Sequence, residues 1–228
     1  MYSIHCIVNN PVTSNCFILS EKGHNNCLVV DPGTEDCKDL LTYLRKENLY
    51  PEYVILTHEH IDHIIGCKEL KKHFFPKIVC SSVCEMYMRL PKYNLTKFSE
   101  QFEGKSFLLE ADIAFKDMDF TLMWNGRKVH FFETQGHSLG SICFNIENDL
   151  FVGDTLIKGF KTTTALPGSS KEDLLVTFSW LLEHYDPVVT TVYSGHFEAF
   201  PMQDVMQEIY GQIDFFQKKL VRQKLRNV

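Results

Sequence analysis

An α/β fold is predicted by three features of the 228-residue sequence. Short strand-like apolar runs are broken by Asn, Pro and Gly, and other segments repeat their apolar residues every three to four positions, as helices do. Hydrophobic residues make up 44% of the chain. A chain of this length and composition can bury a substantial core, so we expect one domain over residues 1–228.

The first half of the chain alternates strands with helices. Leu40, Leu41 and Leu44 share one face of a predicted helix, with Asp36 as its N-cap. Strands are predicted at 4–8, 15–19, 27–30, 53–56 and 77–80, and helices at 36–47, 64–74 and 82–89. The second half repeats this style, with strands at 127–132, 141–146, 149–152 and 189–193 and helices at 171–184 and 202–225.

The segment Thr-His-Glu-His-Ile-Asp-His at 57–63 follows a strand-like apolar run. Imidazole nitrogens and carboxylate oxygens are donors that divalent cations bind in proteins. Residues two apart on an extended segment project to the same side, so His58 and His60 can converge on one ion. Asp62 and His63 point elsewhere and could hold a second ion. The alternative is a solvated loop with incidental histidines, which so many ligand-type side chains beside a buried strand disfavour.

This segment resembles the HxHxDH signature of the metallo-beta-lactamase superfamily. Three further motifs of that family follow in its order: Gly-His-Ser-Leu-Gly-Ser at 136–141, Phe-Val-Gly-Asp-Thr-Leu at 151–156 and Tyr-Ser-Gly-His at 193–196. Asp31 lies in a similar strand-end turn, where the family often uses the residue to support the site. The resemblance covers about residues 4 to 200 and implies a four-layer αββα sandwich with its ligand loops along one edge.

The resemblance also implies a binuclear metal site. Zinc is the expected metal, with iron or manganese as alternatives, and each ion would keep an open position for water. The ligands would be His58, His60 and His137 at the first ion, Asp62, His63 and His196 at the second, and Asp154 as the bridge. None of the seven is Cys, and in this respect the ligand set resembles those of the glyoxalase II-like, lactonase and phosphodiesterase branches.

The favoured function is a metal-dependent hydrolase of the glyoxalase II-like branch. A hydroxide bridging two ions would attack a small ester-like substrate, a thioester or a lactone, and Asp62 would ligate one ion and orient that nucleophile. The alternatives are a phosphodiesterase and an oxidoreductase similar to persulfide dioxygenases, which would bind one iron through His58, His137 and Asp154. A non-catalytic regulatory member is the third class, and the complete ligand set argues against it.

Glutathione specificity is not implied, because the sequence departs from glyoxalase II. Phe197 follows His196 where that family has an acidic residue and then Tyr, and with only about thirty residues after His196 we expect the family's C-terminal glutathione-binding domain to be missing. Lys158 and Lys161, in the loop after the bridging Asp154, would nevertheless meet an anionic substrate near the metals.

The stretch from 88 to 124 mixes aromatic and charged residues without a clean period. In the family this region commonly overhangs the metals, so it could be a lid over the site. An irregular connection whose aromatic side chains pack back on the core explains the sequence equally well.

Composition excludes several partners. A net charge of −6 gives no basic face for nucleic acid, and no apolar run is long enough to span a membrane. Without a secretory leader, the eight cysteines are expected to be reduced in a cytoplasmic protein. The expected partner is a small-molecule substrate, and the oligomeric state stays open.

Overall fold

The computed structural model describes residues 1–116 and 119–226, with side chains described as far as residue 220. The first of its two six-stranded sheets has its strands in chain order. These are β1 (Tyr2–Val8), β2 (Asn15–Glu21), β3 (Asn26–Val30), β4 (Tyr50–Ile55), β5 (Lys77–Ser81) and β6 (Ile113–Phe115). β1 to β3 pair antiparallel, whereas β3 to β6 pair parallel.

The second sheet has the order β12-β11-β10-β9-β8-β7. Its strands are β7 (Asp119–Trp124), β8 (Arg127–Glu133), β9 (Ile142–Ile146), β10 (Asp149–Gly153), β11 (Thr191–Ser194) and β12 (Phe200–Pro201). Among the strand pairs that the structure describes in this sheet, only β10–β11 is parallel. The crossover between these two strands contains a helix, as is usual for a parallel connection.

Six α-helices accompany the sheets in the described part of the chain. They are α1 (Lys38–Lys46), α2 (Ile61–Ile64), α3 (Cys67–Phe74), α4 (Ser82–Tyr87), α5 (Lys171–His184) and α6 (Met206–Arg226). Short 3-10 segments occur at Thr96–Phe98, Glu100–Phe102 and Met202–Val205. None of the described helices is long and apolar enough to cross a membrane.

Alternation along the strands produces the layers. On β2, Phe17 and Leu19 enter the core between the sheets, while Cys16 and Ile18 enter the core that the first sheet forms with its helices. Successive strand residues point to opposite faces. Because both sets are apolar here, the sheet has an apolar surface on each side. α5 and α6 cover the outer face of the second sheet, where Phe178 is fully buried. The result is the predicted four-layer αββα sandwich.

Aromatic rings dominate the core between the sheets. Phe151 stacks on Phe144 with ring centroids 4.6 Å apart and on Tyr193 at 4.7 Å, and it meets Phe17 of the opposite sheet edge-on at 5.5 Å. This packing fixes one sheet against the other just before the loops that leave their ends.

Two local predictions for helices are wrong. The helix predicted over 64–74 is divided into α2 and α3 near Gly66, where a Cβ would lie 2.5 Å from the Cys37 sulfur and 2.7 Å from the Pro32 carbonyl oxygen. The chain therefore approaches its neighbour too closely for a larger residue. The N-cap of α1 is Cys37 rather than Asp36, although an Asp36 carboxylate oxygen accepts a hydrogen bond from the Lys38 N–H (3.1 Å).

The region 88–124 is more regular than the sequence indicated. It contains two 3-10 segments and the strands β6 and β7, none of which was predicted, while Asp117 and Met118 lie outside the described residues. Phe102, Phe107 and Phe115 are buried. These rings pack on the core as the second interpretation expected, and the role of a lid stays a prediction.

The cysteines are free thiols in the structure, as expected. Seven of them are buried and Cys6 is exposed. Burial raises the pKa of the Cys27 thiol to about 12, which is typical of a cysteine that serves as a small apolar side chain.

Replacement of Phe151 by Ala tests the role of the core between the sheets. Because Phe151 is 1% exposed and contacts rings of both sheets, we expect Phe151→Ala to lower the free energy of unfolding by about 3–5 kcal/mol. Val176→Ala, at a position that is 70% exposed on α5, is the control and should change it by less than about 0.5 kcal/mol. Urea denaturation measures both, and equal losses would contradict this assignment.

Candidate metal centre

The seven predicted ligand side chains lie together at one edge of the sandwich. Four of them follow β4, with His58 and His60 in the loop and Asp62 and His63 in α2, and the loop between β8 and β9 carries His137. Asp154 directly follows β10, and His196 follows β11. The first sheet therefore supplies one loop and the second sheet supplies three, which meet where the strands end.

Three imidazoles form the first cluster. His58 Nε2 lies 3.0 Å from His60 Nδ1, and His137 Nε2 lies 3.1 Å from the same atom. Ligand nitrogens about 2.0–2.1 Å from a tetrahedral zinc ion are separated by about 3.3 Å, so the three rings are spaced as one ion would hold them. All three residues are buried.

The second cluster consists of Asp62, His63 and His196. His63 Nε2 lies 3.5 Å from an Asp62 carboxylate oxygen, and His196 Nε2 lies 3.8 Å from that oxygen. The orientation of the His196 ring is fixed through its other nitrogen, Nδ1, which lies 3.0 Å from the Thr13 carbonyl oxygen. That contact makes Nδ1 the protonated atom and leaves Nε2 facing the cluster.

Asp154 lies between the two clusters. Its Oδ1 atom is 3.6 Å from His63 Nε2, and its Oδ2 atom is 3.3 Å from His196 Nε2 and 3.7 Å from His137 Nε2. One carboxylate thus contacts both groups of imidazoles, which is the geometry expected of a bridging ligand.

Unpaired polar atoms show that these side chains fit a cation. Within the described residues, His63 Nε2 and Asp154 Oδ1 are buried without a hydrogen-bond partner. Leaving such atoms unpaired costs free energy, which a coordinated ion would offset. A donor set of imidazole and carboxylate, without thiolate, suits zinc, iron or manganese.

Asp31 holds His63 of the second cluster in place through the ring nitrogen that does not face the cluster. Its Oδ2 atom accepts hydrogen bonds from the Thr57 hydroxyl (2.6 Å) and from His63 Nδ1 (3.0 Å), and its Oδ1 atom accepts the Thr57 N–H (2.8 Å). The bond to Nδ1 fixes the ring orientation and leaves Nε2 of His63 for the cluster. Both Asp31 oxygens are thereby occupied, so the geometry favours the supporting role over a ligand role.

A model of the metallo-beta-lactamase superfamily matches residues 9–196. The chain belongs to the metallo-beta-lactamase superfamily. Among curated proteins, a hydroxyacylglutathione hydrolase of Citrobacter koseri is 35% identical over 133 residues, which are 58% of this chain and 43% of that protein. The chain therefore spans less than half of that relative.

Solved structures show the same fold. The crystal structure of the BLEG-1 B3 metallo-beta-lactamase has a TM-score of 0.81 and 24% identity, covering 90% of this chain and 97% of that chain. ETHE1 from Myxococcus xanthus has a TM-score of 0.69 and 17% identity, covering 89% and 81%. At these identities the likeness concerns the fold.

Burial and charge divide the site of this superfamily member into two halves. Burial lowers the pKa of His58, His60 and His137, so these imidazoles are neutral and offer lone pairs. Burial would also lower the pKa of His63, but Asp62, Asp154 and Asp31 together raise it to about 10. A cation that binds His63 must therefore displace a proton.

Glycine lets the metallo-beta-lactamase loops approach one another. A Cβ on Gly195 would lie 2.1 Å from Asp154 Oδ1 and 2.9 Å from His63 Cε1, and a Cβ on Gly33 would lie 1.6 Å from the Asp62 carbonyl oxygen. A Cβ at either position would displace a predicted ligand.

Both lysines after Asp154 contact the C-terminal segment, and their expected contact with an anionic substrate near the metals stays a prediction. Lys158 Nζ donates to an Asp204 carboxylate oxygen (2.8 Å), and Lys161 Nζ lies 3.9 Å from the centre of the Phe215 ring. Both contacts direct positive charge towards the C-terminal segment.

An aromatic pair lies next to His196 of the second cluster. The exposed rings of Phe160 and Phe197 stack with centroids 4.9 Å apart, beside His196. Glu59, for which no role was predicted from the sequence, is fully buried beside the ligand histidines. Alternation on an extended segment was the available signal, because it sends Glu59 to the side opposite His58 and His60, into the protein.

Gly195→Ala tests the close approach of the loops. The added methyl group must displace Asp154 Oδ1 or His63, so we expect the purified variant to retain less metal, measured by elemental analysis, while its far-ultraviolet circular dichroism is unchanged. Gly211→Ala is the matched control, since a Cβ on this helical residue meets nothing within 4 Å outside the local backbone of its own helix, and its metal content should equal that of the unmodified protein. Equal metal content in both variants would show that the approach at Gly195 is unimportant.

Proposed function

We propose that this chain is a metal-dependent hydrolase that binds two zinc ions and cleaves a small ester-like substrate, a thioester or a lactone. The observation that carries the proposal is the position of Asp154, which contacts His63, His137 and His196 and so joins two ligand clusters. A carboxylate in this position can bind two ions that lie about 3.5–4 Å apart, with one oxygen for each ion.

Two bound divalent ions would bring the pKa of water close to neutral and polarise the substrate carbonyl oxygen. The protein's own residues would fix the geometry. Asp62 is half-buried, with a carboxylate oxygen 3.5 Å from His63 Nε2, where it can orient a nucleophilic water molecule. We assign Asp62 the catalytic role for this reason, and Asp154 the role of fixing the separation between the ions.

The surroundings of the site favour an uncharged substrate. Lys158 and Lys161 are engaged with the C-terminal segment, whereas the exposed Phe160 and Phe197 rings lie on the loops that carry Asp154 and His196. Apolar rings beside the metals suit an acyl chain or a lactone ring better than the carboxylates of glutathione. The name of the Citrobacter koseri relative supports thioester hydrolysis as the reaction class.

Metal analysis is the first test of this proposal. We expect two zinc ions per chain by elemental analysis, and we expect EDTA treatment to abolish turnover that added zinc restores. One iron per chain, together with oxygen uptake in the presence of a persulfide, would overturn the proposal in favour of the dioxygenase-like alternative. No bound metal after zinc supplementation would contradict both.

Substitution of the bridge gives a second test. Asp154→Ala and His58→Ala should each reduce hydrolysis to the background rate, because each removes a ligand from the shared site, while circular dichroism stays unchanged. His24→Ala, which alters an exposed histidine far along the chain from every predicted ligand, is the control and should retain full activity. Thioesters, lactones, beta-lactams and phosphodiesters should be assayed in parallel. Unchanged turnover by metal-replete Asp154→Ala would exclude the bridging role.

A further inference from the structure

Glu59 is a carboxylate that the reaction described above does not use. It stands between His58 and His60 in sequence, and it is 0% exposed. A carboxyl group is rarely enclosed in this way unless its oxygens are hydrogen-bonded, because burial without partners costs several kcal/mol. Its partners therefore indicate what it does.

Those partners all belong to the loop that carries His137. The Ser138 hydroxyl donates to Glu59 Oε2 (2.8 Å), and the Gly140 N–H donates to Oε2 (3.1 Å) and Oε1 (3.4 Å). The Ser141 hydroxyl lies 2.8 Å from the Ser138 hydroxyl and extends the network. One side chain of the β4 loop thus binds the β8–β9 loop immediately after His137.

The loop is closely packed at Gly140, beside this contact. A Cβ on Gly140 would lie 2.7 Å from Glu59 Oε2 and 2.5 Å from Cys84 Cα, so the loop is confined between the carboxylate and the start of α4. The Ser81 hydroxyl, which caps α4 by accepting the Cys84 N–H (3.0 Å), also donates to the Gly140 carbonyl oxygen (3.0 Å). Glu59 therefore contacts the loop from the segment that carries His58 and His60, while Ser81 and α4 hold it from another side.

We propose that Glu59 is a positioning residue that holds His137 at the correct distance from His58 and His60, and so raises the affinity of this three-histidine cluster for its ion. The inference rests on the proposed metal centre. It assigns to one buried carboxylate the alignment of ligands that come from two different sheets. Groups that orient ligands from behind typically contribute about 10–100-fold to metal affinity.

Zinc affinity tests the assignment. We would titrate the 228-residue protein with zinc against a chromophoric chelator, and repeat the titration with His196→Ala, which weakens the second cluster and isolates the step that depends on the three histidines. Glu59→Ala should weaken that step by about 10–100-fold. Glu59→Gln should recover part of the loss, because the amide oxygen can still accept from Ser138 and Gly140.

The control separates positioning from a general loss of stability. Glu133→Ala removes a half-buried carboxylate at the end of β8, before the same loop, and should leave zinc affinity unchanged. Thermal unfolding is then compared with and without zinc. A positioning role reduces the zinc-dependent rise in Tm, since stabilisation by a ligand depends on its affinity. A purely structural role lowers both Tm values equally and leaves zinc affinity as it was, and that result would overturn the inference.

Ser138→Ala gives an independent route if Glu59→Ala does not fold. It removes the hydroxyl donor from the other side of the contact, so it should by itself weaken zinc binding at the three-histidine cluster while Glu59 stays in place. Unchanged zinc affinity in Ser138→Ala would overturn the inference. If the unmodified protein binds no zinc, the proposed metal centre fails and this inference with it; if it binds zinc and Glu59→Ala binds equally well, only the inference fails.

Discussion

Hydrogen bonds between the two sheets at the metal-binding edge are the constraint on which the rest of the structure depends. The Ile142 N–H donates to the Thr57 carbonyl oxygen (2.9 Å), and the Asn15 N–H donates to the Gly195 carbonyl oxygen (2.7 Å). The Asn15 side-chain amide also donates to the Ser194 carbonyl oxygen (3.0 Å). Each sheet supplies only part of the predicted ligand set, so these bonds decide whether one site exists.

Two buried carboxylates extend this constraint to the imidazoles. Asp31 orients His63 within the first sheet's own loop, whereas Glu59 reaches across to the loop of His137. Both act from behind the rings, through groups that leave the inward-facing nitrogens free for a cation. Because the ligands come from both sheets, cation binding and sheet packing should stabilise each other.

Elements with strong periodicity were predictable, and those shaped by close contacts were not. The predicted helix at 171–184 has the bounds of α5 (Lys171–His184), and β1 to β5 and β8 to β11 lie where strands were predicted. β6 has only three residues, and β7 alternates between exposed and half-buried positions with only Trp124 buried, so neither contains an apolar run that marks a core strand. The division of the second predicted helix at Gly66 arises from contact with Cys37, which no local pattern reports.

The sequence by itself determined which residue types were available for a metal site, because ligand chemistry and the spacing of His58, His60, Asp62 and His63 are local properties. It also determined the layers, since alternation along a strand reports which faces are buried. Only the tertiary structure decided which distant groups meet: that Asp154 joins both clusters, that the nearby lysines turn away, and that Glu59 binds the loop of its partner sheet. Such contacts depend on how two sheets pack, and packing is a property of the whole chain rather than of any segment.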